Sequence, residues 1–173
     1  MTDAWIVELS AGIHDDSSKY LIWYEDEHGK NQVYTIDNKI ACFASEQSAK
    51  NMIYKSDLCY MATEIYDLKR IEYWVSTCNP SKIINSAGKS DRDLLLEFWN
   101  LFDDIHYSLG SEFEPVIKEL SRKCYEKLLF GSELNEDQQP VQFTEEELEF
   151  IRKLMIKGLE HLRNNCVILN HEL

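Results

Sequence analysis

The chain has 173 residues, 44% of them hydrophobic and 12% aromatic, with 31 acidic against 18 basic residues and a formal net charge of −13. That length and apolar content suit one domain burying roughly 70% of its unfolded surface, and exclude a disordered chain. The negative field repels phosphate backbones and anionic lipid; it sets aside direct nucleic-acid and membrane-surface binding and favours a cationic partner, while also serving plain solubility.

Strands come first. Ala4 to Leu9 is a short apolar run, and Tyr20 to Tyr24 is rich in aromatic and branched residues. Glu25 to Asn31 reads as a turn with Gly29 at a position that tolerates positive φ, and Gln32 to Ile36 alternates with period 2, so the two strands should pair as a hairpin. Asp37-Asn38 make a second turn before Lys39 to Ala44. Together these predict an antiparallel meander. Ser45 then caps a helix ending near Lys55, with Glu46 in its first turn. Thr63 to Tyr66 reads as one more short strand, and Asp67 as the cap of a helix over 68–75.

Asn79 to Gly88 gathers Gly, Ser, Asn and Pro and marks a seam, about 79–88, between a strand-rich half (1–78) and a helical half (89–173) of one domain. Asp91 to Leu109 is a long helix whose face is Leu94, Leu95, Phe98, Trp99, Phe102 and Ile105, stopped by Gly110. A second helix runs from Phe113 to Leu128, with Pro115 in its first turn and Gly131 ending it. After an acidic loop holding Pro140, Thr144-Glu145-Glu146-Glu147 is a capping box for a final helix with the stripe Leu148, Ile151, Leu154, Met155, Leu159, Leu162. The expected fold is α+β: the meander with its short helix, then a C-terminal bundle of about three helices packed on it.

Five cysteines at wide spacing, with no CxxC pair, read as reduced thiols. Met1-Thr2-Asp3 lacks a basic start and Trp5-Ile6-Val7 is too short for a signal peptide, so a cytoplasmic location is expected. Chemistry is sparse. The five histidines lack zinc spacing, and no nucleophile elbow, Walker loop or dinucleotide fingerprint is present. Asp103 and Asp104 lie about 100° apart on their helix and do not converge; Asp103 and His106, at i, i+3, fit a surface ion pair. No catalytic residue, metal or cofactor is expected. Trp23, Tyr24 and Tyr34 either form an exposed binding face or cover the back of the sheet.

Asp93 to Asp104 (with Phe98-Trp99-Asn100), Cys124 to Gly131 (with Tyr125, Lys127 and Gly131), and Phe143 to Leu148 with Gly158-Leu159 form a pattern. It resembles a family of bacterial immunity proteins found with polymorphic and contact-dependent growth-inhibition toxins. Ile40 to Phe43, Ser45-Glu46 and Tyr66-Asp67-Leu68 extend the likeness over the whole chain. The segment Ser132 to Asp137 departs from it, lacking the Leu-Pro pair that follows an Asn in that family. The resemblance implies a cytosolic antitoxin that covers the C-terminal toxin domain of a surface-delivered toxin, often a basic nuclease. Phe98, Trp99, Asn100, Asp103, Tyr125, Lys127 and Gly131 would then be structural, with Asn100 and Asp103 holding the two halves together. The contact surface would use exposed acids: Asp15 and Asp16, the hairpin acids Glu25, Asp26 and Glu27, and Glu133, Glu136 and Asp137. Two alternatives stay open: an acidic adaptor or regulatory module binding another basic protein, and a small hydrolase.

Overall fold

The computed structural model describes residues 2–10, 17–77, 91–111, 118–131 and 141–169. Seven strands form one mixed sheet: β1 (Thr2–Ser10), β2 (Lys19–Glu25), β3 (Asn31–Val33), β4 (Thr35–Ile36), β5 (Lys39–Phe43), β6 (Leu58–Asp67) and β7 (Cys166–Leu169). Five helices accompany it: α1 (Glu46–Lys55), α2 (Leu68–Thr77), α3 (Asp91–Ser108), α4 (Lys118–Phe130) and α5 (Glu145–Asn165).

The local signals act where they were read. Asp26 N–H donates to Lys30 O and Gly29 N–H to Asp26 O, closing the β2–β3 turn with Gly29 at φ 73°. Asp37 and Asn38 both take positive φ, as a two-residue hairpin between β4 and β5 demands. Ser45 Oγ accepts from Ser48 N–H at the start of α1, and Asp67 Oδ1 accepts from Arg70 N–H at the start of α2. Thr144 and Glu147 exchange both bonds of a capping box at α5.

The sheet is not a purely antiparallel meander. β1 pairs antiparallel with β2 but parallel with β6, and β5 pairs parallel with β7, a strand supplied by the end of α5. β6 also runs for 10 residues, where the sequence suggested only Thr63–Tyr66. Both faces of the sheet are covered. Ala4, Ile6, Ile22, Ala41 and Phe43 pack against Ala49 and Ile53 of α1 on one side. Val7, Leu9, Leu21, Ile40 and Cys42 face α2, α3, α4 and α5 on the other. That second layer thus holds four helices rather than three. Two-sided burial explains why β1 and β5 read as continuous apolar runs, and it answers the question of Trp23, Tyr24 and Tyr34: all three are half-buried, Trp23 under the helices and the tyrosines beside α1.

Strand-rich and helical residues share one core, and the predicted seam lies outside the described residues. Arg70 of α2 reaches Asp91 of α3 through Nε at 3.0 Å and Nη2 at 2.6 Å, while Arg163 of α5 pairs with Glu72 of α2. Gly158 lets α5 approach α3: a Cβ there would run into the Phe102 ring. The cysteines differ from expectation. Cys42 and Cys166 are joined as a disulfide across β5 and β7 with Cα atoms 6.1 Å apart, since the parallel register brings the two strands together; Cys59 and Cys124 are free, and Cys78 lies outside the described residues.

Candidate protein-binding surface

The β2–β3 hairpin folds against the C-terminal end of α3. Trp23 Nε1–H donates to Asp104 Oδ2 at 2.9 Å. Val33 N–H donates to Ser108 Oγ at 2.8 Å, and Ser108 Oγ–H donates in turn to Asp104 O at 2.6 Å. These bonds fix the hairpin, which carries Glu25, Asp26 and Glu27, on the part of the helix that carries Asp103 and Asp104. Lys30, at the hairpin's far side, lies within electrostatic reach of both α3 acids.

Within the patch the carboxylates differ. Asp26 is spent internally: its Oδ1 accepts from His28 N–H and Lys30 N–H, its Oδ2 from Gln32 Nε2, and these bonds hold its carboxyl below the usual range. Glu25 and Glu27 are exposed. Asp104 is half-buried, and burial pushes its carboxyl up to about 7; the Trp23 bond lowers it, the neighbouring Asp103 charge raises it and Lys30 lowers it. Asp103 is raised too, chiefly by burial and against the pull of Lys30, but it reaches solvent and is the less perturbed. A carboxylate held partly out of water, as Asp104 is, gains from an incoming cation more than a fully hydrated one.

Of the expected contact acids, Asp15 and Asp16, and Glu133, Glu136 and Asp137, lie outside the described residues. The motif residues take other places. Phe98 is fully buried, edge-on to Tyr66, and Trp99 packs edge-on against Tyr125. Asn100 is exposed and its Oδ1 accepts from Tyr125 Oη–H at 3.0 Å, so it ties α3 to α4 within the helical half. The link to the sheet comes from Asp104, not Asp103, which faces solvent. Asp103 does not pair with His106: that ring turns inward, stacks on His161 at 3.8 Å and is hydrogen-bonded to Ser111. Gly131 sits at φ 53° against Arg92, where a Cβ would clash.

Lys127 anchors the start of α5. Its Nζ donates to both Glu147 oxygens, at 2.9 and 2.7 Å, and to Gln142 O at 3.0 Å, and Lys123 Nζ reaches Glu147 Oε1 at 2.9 Å. Burial alone would raise the Glu147 carboxyl, but these cations and Thr144 N–H outweigh it and hold it near about 2. Such a saturated carboxylate is built for stability, not for a partner.

The described residues contain no group of three or more His, Cys, Asp or Glu placed to hold a metal, and burial pushes the Cys124 thiol up to about 12. No helix among them is long and apolar enough to cross a membrane. Asp104 was legible as an acid, but its neighbour Trp23, 81 residues away, was not.

No protein-family model matches the chain, and no curated protein matches it. Among solved structures it is similar to the C-terminal domain of SatS, crystallised in complex with bromine: the TM-score is 0.58 at 12% identity, over 96% of this chain and 94% of that one. At that identity the likeness concerns fold alone.

Proposed function

We propose that this chain is a stoichiometric blocker of the immunity-protein kind, which binds the basic C-terminal domain of a growth-inhibition toxin, a nuclease in the expected case, and covers its substrate surface. The observation that carries the proposal is the hairpin–α3 junction, where the exposed Asp103 adjoins the half-buried, Trp23-bonded Asp104 in a molecule of net charge −13. A cationic surface docked there relieves their repulsion, and the long-range field speeds the encounter. The resemblance of Phe98-Trp99-Asn100 and Tyr125 to Gly131 to immunity proteins supports the choice of partner. In this proposal the chain performs no catalysis and needs no cofactor, metal, nucleic acid or membrane; it meets its toxin in the cytoplasm.

Co-purification with the C-terminal domain of a large toxin encoded beside this chain's gene tests it. Complex formation is expected, weakened by Asp103→Lys and Glu27→Lys, with the greater loss at low salt where charge is least screened; absence of a complex with that domain at low salt refutes it.

The Cys42–Cys166 bond favours a second placement, an acidic module that binds a basic protein in an oxidising compartment, because disulfides persist there and are reduced in the cytosol. Alkylation of the protein as it is made in its own cell separates the two: both sulfurs modified without reductant supports the cytoplasm, neither modified supports the oxidising compartment.

A further inference from the structure

β6 lies at one end of the sheet. Its inner edge pairs with β1, and among the described residues no strand pairs with its outer edge. An open edge offers a row of backbone N–H and C=O groups to another chain, and proteins commonly blunt such edges with proline, lysine, short length or a bulge. β6 runs for ten residues, LCYMATEIYD, without proline or lysine. Its bulge falls between Tyr60 and Thr63, which leaves Thr63–Asp67 as a regular template.

The side chains along that template are those of a contact surface. Ile65 is 61% exposed, and Met61 beside the bulge is 50% exposed. Glu64 is exposed and makes no ion pair among the described residues. Tyr66, next in line, is buried and packs edge-on against Phe98 of α3, so α3 backs this face of the strand. A second copy of this chain, itself at −13, is repelled from such an edge, whereas a basic strand is attracted.

We infer that the outer edge of β6, over Thr63–Asp67, takes an extended basic segment of the partner protein as an additional strand, with apolar side chains against Ile65 and Lys or Arg against Glu64. Alternation along a strand sends these two sets to opposite faces, and main-chain bonds supply the common part of the affinity. The inference rests on the proposed binding of a basic protein and gives it a place and a mode.

The whole chain is titrated with three synthetic peptides: alternating valine and lysine, alternating valine and glutamate, and lysine alone. Amide hydrogen exchange is read on each. The valine–lysine peptide is expected to protect amides within residues 63–67, and its affinity to fall about tenfold in Ile65→Lys and in Glu64→Lys, both exposed positions that leave the core unchanged. Equal binding of all three peptides, or protection confined to other segments, overturns the edge assignment. The same two variants are then mixed with the toxin domain. Wild-type affinity in both sinks the edge and leaves the binding proposal standing; no binding of that domain even by the unmodified chain sinks the binding proposal itself.

Discussion

Asp104 accepts the indole N–H of Trp23 at 2.9 Å, and this bond joins α3 to β2 through a carboxyl group that burial has pushed up to about 7. Folding therefore holds on to a proton that the unfolded chain releases near pH 4. The stability contributed by that proton is complete below about pH 4 and is lost as pH rises through about 7.

Asp104→Asn keeps an oxygen for Trp23 and removes the charge. It is expected to raise stability at pH 8 by about 1–2 kcal/mol, discounted for partial exposure, and to leave it nearly unchanged at pH 4. Urea unfolding at the two pH values checks this. If the proposed basic partner docks at this junction, the same variant binds it more weakly, a trade of binding against stability.

His106 and His161 impose the opposite slope. Their rings stack at 3.8 Å between α3 and α5, with Ser111, Asn165, Lys157 and Lys39 around them. Burial lowers His106 to about 4, helped by the His161 and Lys157 charges, and burial lowers His161 as well. A depressed folded pKa contributes stability above the unfolded value near 6.5, lost as pH falls toward 4. The His106 share amounts to about 2 kcal/mol at pH 4.5. Thermal melts of His106→Phe between pH 7.5 and 4.5 should show a smaller acid loss than the wild type; an equal loss would place the acid sensitivity elsewhere.

Lys127→Met leaves Glu147, 1% exposed at its side chain, with Lys123 as its remaining cation. An undercompensated buried carboxylate is expected to cost about 2–3 kcal/mol, and Glu147→Gln in the Lys127→Met background to recover part of it. Denaturant unfolding of the two variants measures both terms.

Gly158→Ala puts a methyl group into the Phe102 ring. The overpacking is expected to cost about 1–3 kcal/mol, although alanine is the better helix former, and Phe102→Leu in the same chain should restore part of the loss. If Gly158→Ala stabilises the chain instead, the close approach of α3 and α5 is wrong.

Local chemistry was readable and distant pairing was not. Asp37-Asn38, Ser45, Asp67 and Thr144 act within four residues of themselves, so their roles survive without knowledge of the fold. β6 begins at Leu58 because β1 offers a parallel partner there, and Cys166-Val167-Ile168-Leu169 becomes a strand because β5 does; no neighbouring residue signals either event. Periodicity placed Trp99 and Phe98 in the core, yet it assigned His106 to the surface, since a histidine at an inward position looks no different from one outside. In the patch, the hairpin acids could be read as exposed charges, whereas the raised pKa of Asp104 depends on the body of Trp23 and on packing that no spacing encodes.

β7 has a consequence for synthesis. The covalent and hydrogen-bonded closure of β5 spans 124 residues, from Cys42 to Cys166. Contacts so remote in the chain carry a large loop entropy before they return anything, and they slow the search for the native state. On the ribosome, the flank of β5 stays open until α5 has emerged, and an exposed strand of Ile40, Ala41, Cys42 and Phe43 invites misassociation meanwhile. Synthesis of α5 and β7, rather than folding of the first hairpins, sets when the closed sheet first exists.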